Sequence, residues 1–126
     1  MNGYNDKGER HGPWEGYHDN GNLWYKKNYV NGNEHGLYER YLYNGNPMYK
    51  KNYVNGKRHG LCEVYRYNGS RLYEINYNHG KKHGLHVEYY DNNNLSVITK
   101  YVNGKRDGLF MRYFSNGESR NKIYYL

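Results

Sequence analysis

Four histidines, His11, His35, His59 and His83, recur every 24 residues, and no other side chain so readily holds a metal or moves a proton at neutral pH. Stacked strands would set successive members about 10 Å apart, while two ligands of one zinc each lie about 2.0–2.1 Å from it. The column therefore reads as a turn-stabilising set, and His18, His79 and His86 fall outside it with no ligand spacing. A carboxylate column, Glu15, Glu39 and Glu63, lapses into Val87 and Met111. Cys62 aligns with Trp14, Tyr38, His86 and Phe110, so it reads as a small apolar side chain rather than a nucleophile. No nucleophile–base pair stands out, so neither catalytic residues nor a metal, cofactor or small-molecule substrate is expected, and the chain is not expected to be an enzyme.

Charge offers a different chemistry. The chain carries a net +7, and the excess rises from zero in the first 28 residues to +3 in the last stretch. Lys57-Arg58, Lys81-Lys82 and Lys105-Arg106 occupy equivalent positions. Stacking would align them along one edge as an anion-binding set for phospholipid headgroups or nucleic acid. Two further columns vary in side chain: Trp14, Tyr38, Cys62, His86 and Phe110, and then His18, Leu42, Arg66, Tyr90 and Phe114. Varying positions in a constant frame are where specificity can live, and Trp, Tyr and Arg are favoured binding anchors. Trp14, Tyr38, Leu42, Arg66, Tyr90, Phe110 and Phe114 are thus the expected partner-binding residues.

These columns exist because the whole chain repeats. Tyr29, Tyr53, Tyr77, Tyr101 and Tyr125 are spaced by 24, and so are Gly12, Gly36, Gly60, Gly84 and Gly108. Units run approximately over 5–28, 29–52, 53–76, 77–100 and 101–124. In the second, residues 37–42 and 48–53 read as strands around the turn signal Asn44-Gly45. Asn92-Asn93 replaces Asn-Gly in the fourth, and Asn also tolerates the left-handed conformation. Parity favours three-residue loops with Gly in the bulge position, placing Leu37, Tyr41, Tyr49, Tyr53 and Leu61 on one face. The other face would then carry Tyr38, Arg40, Leu42 and Met48, then Cys62, Val64, Arg66 and Leu72. The expected fold is all-β: one domain over 1–126, an elongated single-layer antiparallel ribbon of about five stacked 24-residue hairpins.

Composition agrees. Hydrophobic content is only 36 %, but 19 tyrosines supply rings suited to a half-wet surface. The lone cysteine suggests a reducing compartment, and the lack of a signal peptide, lipidation box or long apolar run suggests a cytoplasmic setting. A chain with no Ala or Gln and much Asn, Lys and Tyr points to an AT-rich genome, such as a phage, virus or low-GC bacterium.

Asn55-Gly-Lys-Arg-His-Gly-Leu61, followed by Tyr65 and Asn68-Gly69, resembles the MORN repeat. The alternation of Tyr-x-Asn-Gly-Lys-x-x-Gly with Tyr-x-x-Asn-Gly is similar to the MORN variant of YwqK-type antitoxin-like proteins, from Tyr4 to about Gly117. That resemblance implies hairpin rods that bind proteins, dimerise or attach to anionic lipid. Departures at Asp107, Arg120 and Asn121 suggest a polar cap. The leading expectation is a non-enzymatic protein-binding module, an inhibitor or antitoxin-like neutraliser of a partner protein. Binding to an anionic surface is the alternative. A self-associating rod or homodimer, paired through the terminal strand Lys122–Leu126, comes third.

Overall fold

The computed structural model describes residues 2–125, with Leu109 and residues 121–125 described by their backbone alone. Leu126, the end of the expected terminal strand, lies outside the described residues. The strands are β1 (Gly12–Tyr17), β2 (Leu23–Val30), β3 (Asn33–Glu34), β4 (Gly36–Tyr41), β5 (Pro47–Val54) and β6 (Lys57–Arg58). They continue as β7 (Gly60–Tyr65), β8 (Arg71–Asn78), β9 (Lys81–Tyr89), β10 (Leu95–Val102), β11 (Lys105–Tyr113) and β12 (Ser119–Tyr125). All join one antiparallel sheet in chain order, with the stubs β3 and β6 lying against β2 and β5. The expected single-layer ribbon of stacked hairpins is what the chain forms. No helix among the described residues is long and apolar enough to cross a membrane.

Two kinds of turn alternate. Between units the chain reverses over two residues, as at Asn31-Gly32 (φ 48° and 85°), between the pairs Val30↔Asn33 and Tyr29↔Glu34. Two successive positive φ values define a turn whose twist matches the flanking strands, and Asn-Gly adopts it at least cost. At the hairpin tips the loop has three residues, as expected. Gly45 N–H donates to the Leu42 carbonyl (2.9 Å), Leu42 N–H to the Asn46 carbonyl (2.8 Å), and Gly45 has φ 91°. Asn93 fills the same role in the fourth unit at φ 70°.

The expected division into faces is corrected by a second bulge. Arg40 pairs with Tyr49 but Tyr41 pairs with Pro47, so Met48 is an extra residue that inverts the parity of everything after it. Trp24, Leu72, Ser96 and Arg120 are skipped in the same way in the other units. Leu37, Tyr41 and Leu61 therefore share one face, while Tyr49 and Tyr53 lie on the other with Tyr38 and Arg40. The second face is the packed one. Tyr29, Cys62, Ile75 and Thr99 are the buried residues among those described, and all four point to it. The opposite face is open.

Candidate functional site

Three of the four inter-unit turns are locked by a histidine from the preceding turn, while His35 Nδ1, which would serve the turn at Asn55-Gly56, is buried without a hydrogen-bond partner. The Nδ1 atoms of His11, His59 and His83 accept the backbone N–H of Asn31, His79 and Asn103 at 3.2–3.3 Å, each donor being a left-handed residue. These side chains hold the array together, as the sequence suggested. Tip residues do the same on the other edge. His18 Nε2 lies 3.0 Å from the Tyr41 carbonyl, Arg66 Nη2 donates to that of Tyr89 (2.7 Å), and Tyr90 OH to that of Tyr113 (2.6 Å). Three different side chains thus reach the equivalent carbonyl of the next unit. Leu42 is half-buried in the same column, and Phe114 is 47 % exposed beneath the Arg120 guanidinium (5.5 Å).

The other variable column runs down the middle of the packed face, between the tyrosine columns. Trp14 meets Tyr29 edge-on at 5.8 Å, Tyr38 meets Tyr49 at 5.4 Å, and His86 lies 6.0 Å from Tyr73 and 6.1 Å from Tyr101. Burial lowers the His86 pKa, opposed by Glu88, whose Oε2 is 3.5 Å from Nε2. Phe110 carries Arg106 over its ring at 5.8 Å. Burial also pushes the Cys62 thiol pKa up, consistent with an apolar role.

The basic pairs stack beside successive inter-unit turns along one edge, but each is divided between the two faces. Lys57-Arg58, Lys81-Lys82 and Lys105-Arg106 are consecutive strand residues, so each pair splits between faces. Lys57, Lys81 and Lys105, opposite Val54, Asn78 and Val102, are exposed on the open side. Arg58, Lys82 and Arg106 lie on the packed side, with Arg58 Nη1 donating to Tyr77 OH at 3.0 Å and Lys82 Nζ 5.0 Å above the Tyr101 ring. That side also holds Arg10, Lys27, Arg40, Lys51 and Arg112, against the carboxylates Glu34 and Glu88. Most of the chain's excess charge thus faces one way, which counting along the sequence does not reveal.

Along the open face a single ladder of directly paired residues crosses the whole sheet. It reads Glu15, Lys26, Glu39, Lys50, Glu63 and Glu74 in the first half, then Val87, Ile98 and Met111. The like-charged neighbours Glu63 and Glu74 are reconciled by Arg71, 3.9 Å and 2.8 Å from their carboxylates, with Tyr65 and Tyr89 donating to them at 2.8 and 2.9 Å.

Four consecutive segments, 10–31, 34–55, 58–79 and 82–103, match the MORN repeat variant. The chain belongs to that family. Each matched segment begins at a packed-face position just after a turn (Arg10, Glu34, Arg58 or Lys82) and ends on the first residue of the next two-residue turn. The family match thus covers one hairpin at a time, and residues beyond 103, including Asp107 and Arg120, fall outside it. MORN repeats are in general protein- or membrane-binding modules. No curated protein matches the chain.

Proposed function

We propose that this MORN array is a non-enzymatic protein-binding module that meets its partner through the C-terminal half of the open face. The observation that carries this is the stripe Val87–Ile98–Met111. It is half-exposed on a single-layer sheet and bordered by Tyr89, Leu95, Tyr113 and by Leu85, itself 47 % exposed. An apolar centre beside a charged border is the anatomy of a protein interface, and such a patch is costly to leave wet. The expected tip and core residues, Arg66, Tyr90 and Phe110 among them, support this surface from behind and from its edge. Phe114, 47 % exposed, would touch a partner directly. Inhibition or antitoxin-like neutralisation in a cytoplasmic setting is the finer form of this reading, in line with the resemblance to antitoxin-like proteins.

A pull-down from source-cell lysate with nuclease, at about 0.15 and 0.5 M salt, tests it. One protein retained at both salts by the native chain, and lost with Ile98→Asp at unchanged circular dichroism, is the expected result. Capture indifferent to Ile98→Asp sinks the reading. The second reading, an anionic surface, rests on the exposed column Lys57, Lys81 and Lys105. It is favoured if vesicle or nucleic-acid binding collapses when these become Glu. A rod that self-associates would show a concentration-dependent mass in light scattering.

A further inference from the structure

We propose that the packed face between the first two units is a binding site for a phosphate monoester carried on a flat aromatic group. The site stands apart from the open-face stripe and from the exposed lysine column. It is a groove of about 340 Å³. Three cations, Arg10, Lys27 and Arg40, line it with Trp14, Trp24, Tyr25 and Tyr38, and no carboxylate does.

The cations are linked through rings rather than through acids. Arg10 lies 4.8 Å above the Trp14 ring and donates to Tyr29 OH at 3.2 Å. Lys27 Nζ is 5.5 Å from the Tyr29 ring and 4.7 Å from that of Tyr38, and Arg40 Nη1 donates to Tyr38 OH at 3.3 Å. Arg40 also lies 5.5 Å over Trp24. Tyr29 and Tyr38 thus bridge the three charges in turn. Among the described residues none of the three forms an ion pair, and the nearest acid on this face is Glu34, opposite Tyr29.

Three cations against the single carboxylate of Glu34, which acts on Lys27, leave an excess of positive charge that calls for a multiply charged anion, and two guanidiniums match the oxygens of a phosphate. The surroundings of Tyr38 point the same way. Burial raises its pKa, but the hydrogen bonds with Tyr49 and Arg40 and the charge of Lys27 outweigh burial and hold it below the ordinary tyrosine value. Negative charge is already favoured there. The walls supply the rest of the specificity. Trp24 is 40 % exposed beside Tyr25 and His18, so part of its ring is open for an aromatic group to pack on. The volume lies at the lower end for small-ligand sites, enough for one ring system and its phosphate.

Both tryptophans of the chain line this groove, so intrinsic fluorescence reads it without a label. Phenyl phosphate titrated into the native chain at about 0.15 M salt should give a saturable change in tryptophan emission. Inorganic phosphate, phenol and an inositol phosphate should each bind at least tenfold more weakly. Arg40→Gln with Lys27→Met should weaken phenyl phosphate at least tenfold, whereas Lys81→Gln with Lys105→Gln, on the open face, should leave it unchanged. A nucleoside 5′-monophosphate and a phosphotyrosyl peptide then separate the two sources of this chemistry. Tenfold preference for one names the natural class. No saturable change with any aromatic phosphate in the native chain overturns the proposal, whatever the variants do. An inositol phosphate that binds as well as phenyl phosphate overturns the aromatic requirement, and binding retained in the double variant overturns the site.

Discussion

The groove between the first two units and the buried patch two units later occupy the same positions of the repeat. Trp14 becomes Cys62, Trp24 becomes Leu72, Lys27 becomes Ile75, Tyr38 becomes His86 and Arg40 becomes Glu88. The backbone pairing is conserved between the two regions, since Gly16↔Tyr25 and Trp14↔Lys27 correspond to Val64↔Tyr73 and Cys62↔Ile75. One frame therefore carries a wet, cationic, aromatic surface at one end and a closed apolar patch in the middle, where Cys62 and Ile75 are 4 % and 7 % exposed. In a single-layer sheet each unit touches only its neighbours, so a local change of side chains makes or erases a site without altering the fold.

Exchanging residues between the two regions gives the largest expected effect. Ile75→Lys places the groove's Lys27 in the closed patch, where the nearest acid of that face, Glu88, is already set against His86. Burying that charge while losing the isoleucine should cost about 3 kcal/mol in urea unfolding. The reverse change, Lys27→Ile, should shift stability by under about 1 kcal/mol, because Lys27 is held by rings and by the field of Glu34 and forms no ion pair. Equal costs for the two exchanges would mean that the regions do not differ as described.

The pair Gly16↔Tyr25 sharpens the contrast. A Cβ on Gly16 would lie 2.3 Å from Tyr25 Cε1, so the ring lies across the bare backbone. Val64 occupies the equivalent position opposite Tyr73. Gly16→Ala must push the Tyr25 ring, which contacts Trp24 at 5.2 Å, out of place. An overpacking cost of about 1–2 kcal/mol is expected, together with altered tryptophan emission. Val64→Ala should leave emission unchanged.

Ionisation offers a third handle. Burial, then a hydrogen bond with Tyr38, raises Tyr49 to about 12, and burial, then a hydrogen bond to Glu63, raises Tyr65 to about 12. A raised pKa means the folded state keeps its proton longer than the unfolded chain. The stability these two contribute is therefore fully present below about pH 10 and disappears as pH climbs toward 12. Tyr38, held low by the groove, has the opposite sign. Ultraviolet titration of the folded protein should show an early phenolate phase that Tyr38→Phe removes. Stability should fall between pH 10 and 12 in both proteins.

The fold was legible because the 24-residue period, the Asn-Gly turns and the loop length are local signals. Gly45 and Asn93 behave as their residue types demand. What escaped was the second bulge, at Met48 and its counterparts. It has no residue signature, being filled by Trp24, Met48, Leu72, Ser96 and Arg120 in turn. One skipped residue inverts a face, so the groove and the apolar ladder were hidden although every member was in view. The histidine column was readable because its role is local to the turn. That Arg66 and Tyr90, expected as partner anchors, also reach carbonyls of the next unit is not legible, because sequence does not show which carbonyl a side chain reaches.

The smallest expected effect concerns His86, which stands where the groove has Tyr38. It is flanked by Glu88 at 3.5 Å and by the rings of Tyr73 and Tyr101, with Lys82 above Tyr101. Burial lowers its pKa, the Glu88 carboxylate pulls the other way, and Lys82 adds to the lowering. The folded state therefore binds its proton less readily than the unfolded chain does. Stability from this residue is present above the ordinary histidine pKa and is lost as pH falls through the lowered folded value. His86→Phe, which installs the ring found at Phe110, should flatten that segment of the stability profile while leaving the pH 10–12 decline intact. A segment that stays equally steep would show that the acid sensitivity does not arise at His86. That second outcome would show that the column which the groove shares does not couple protonation to stability in the middle units.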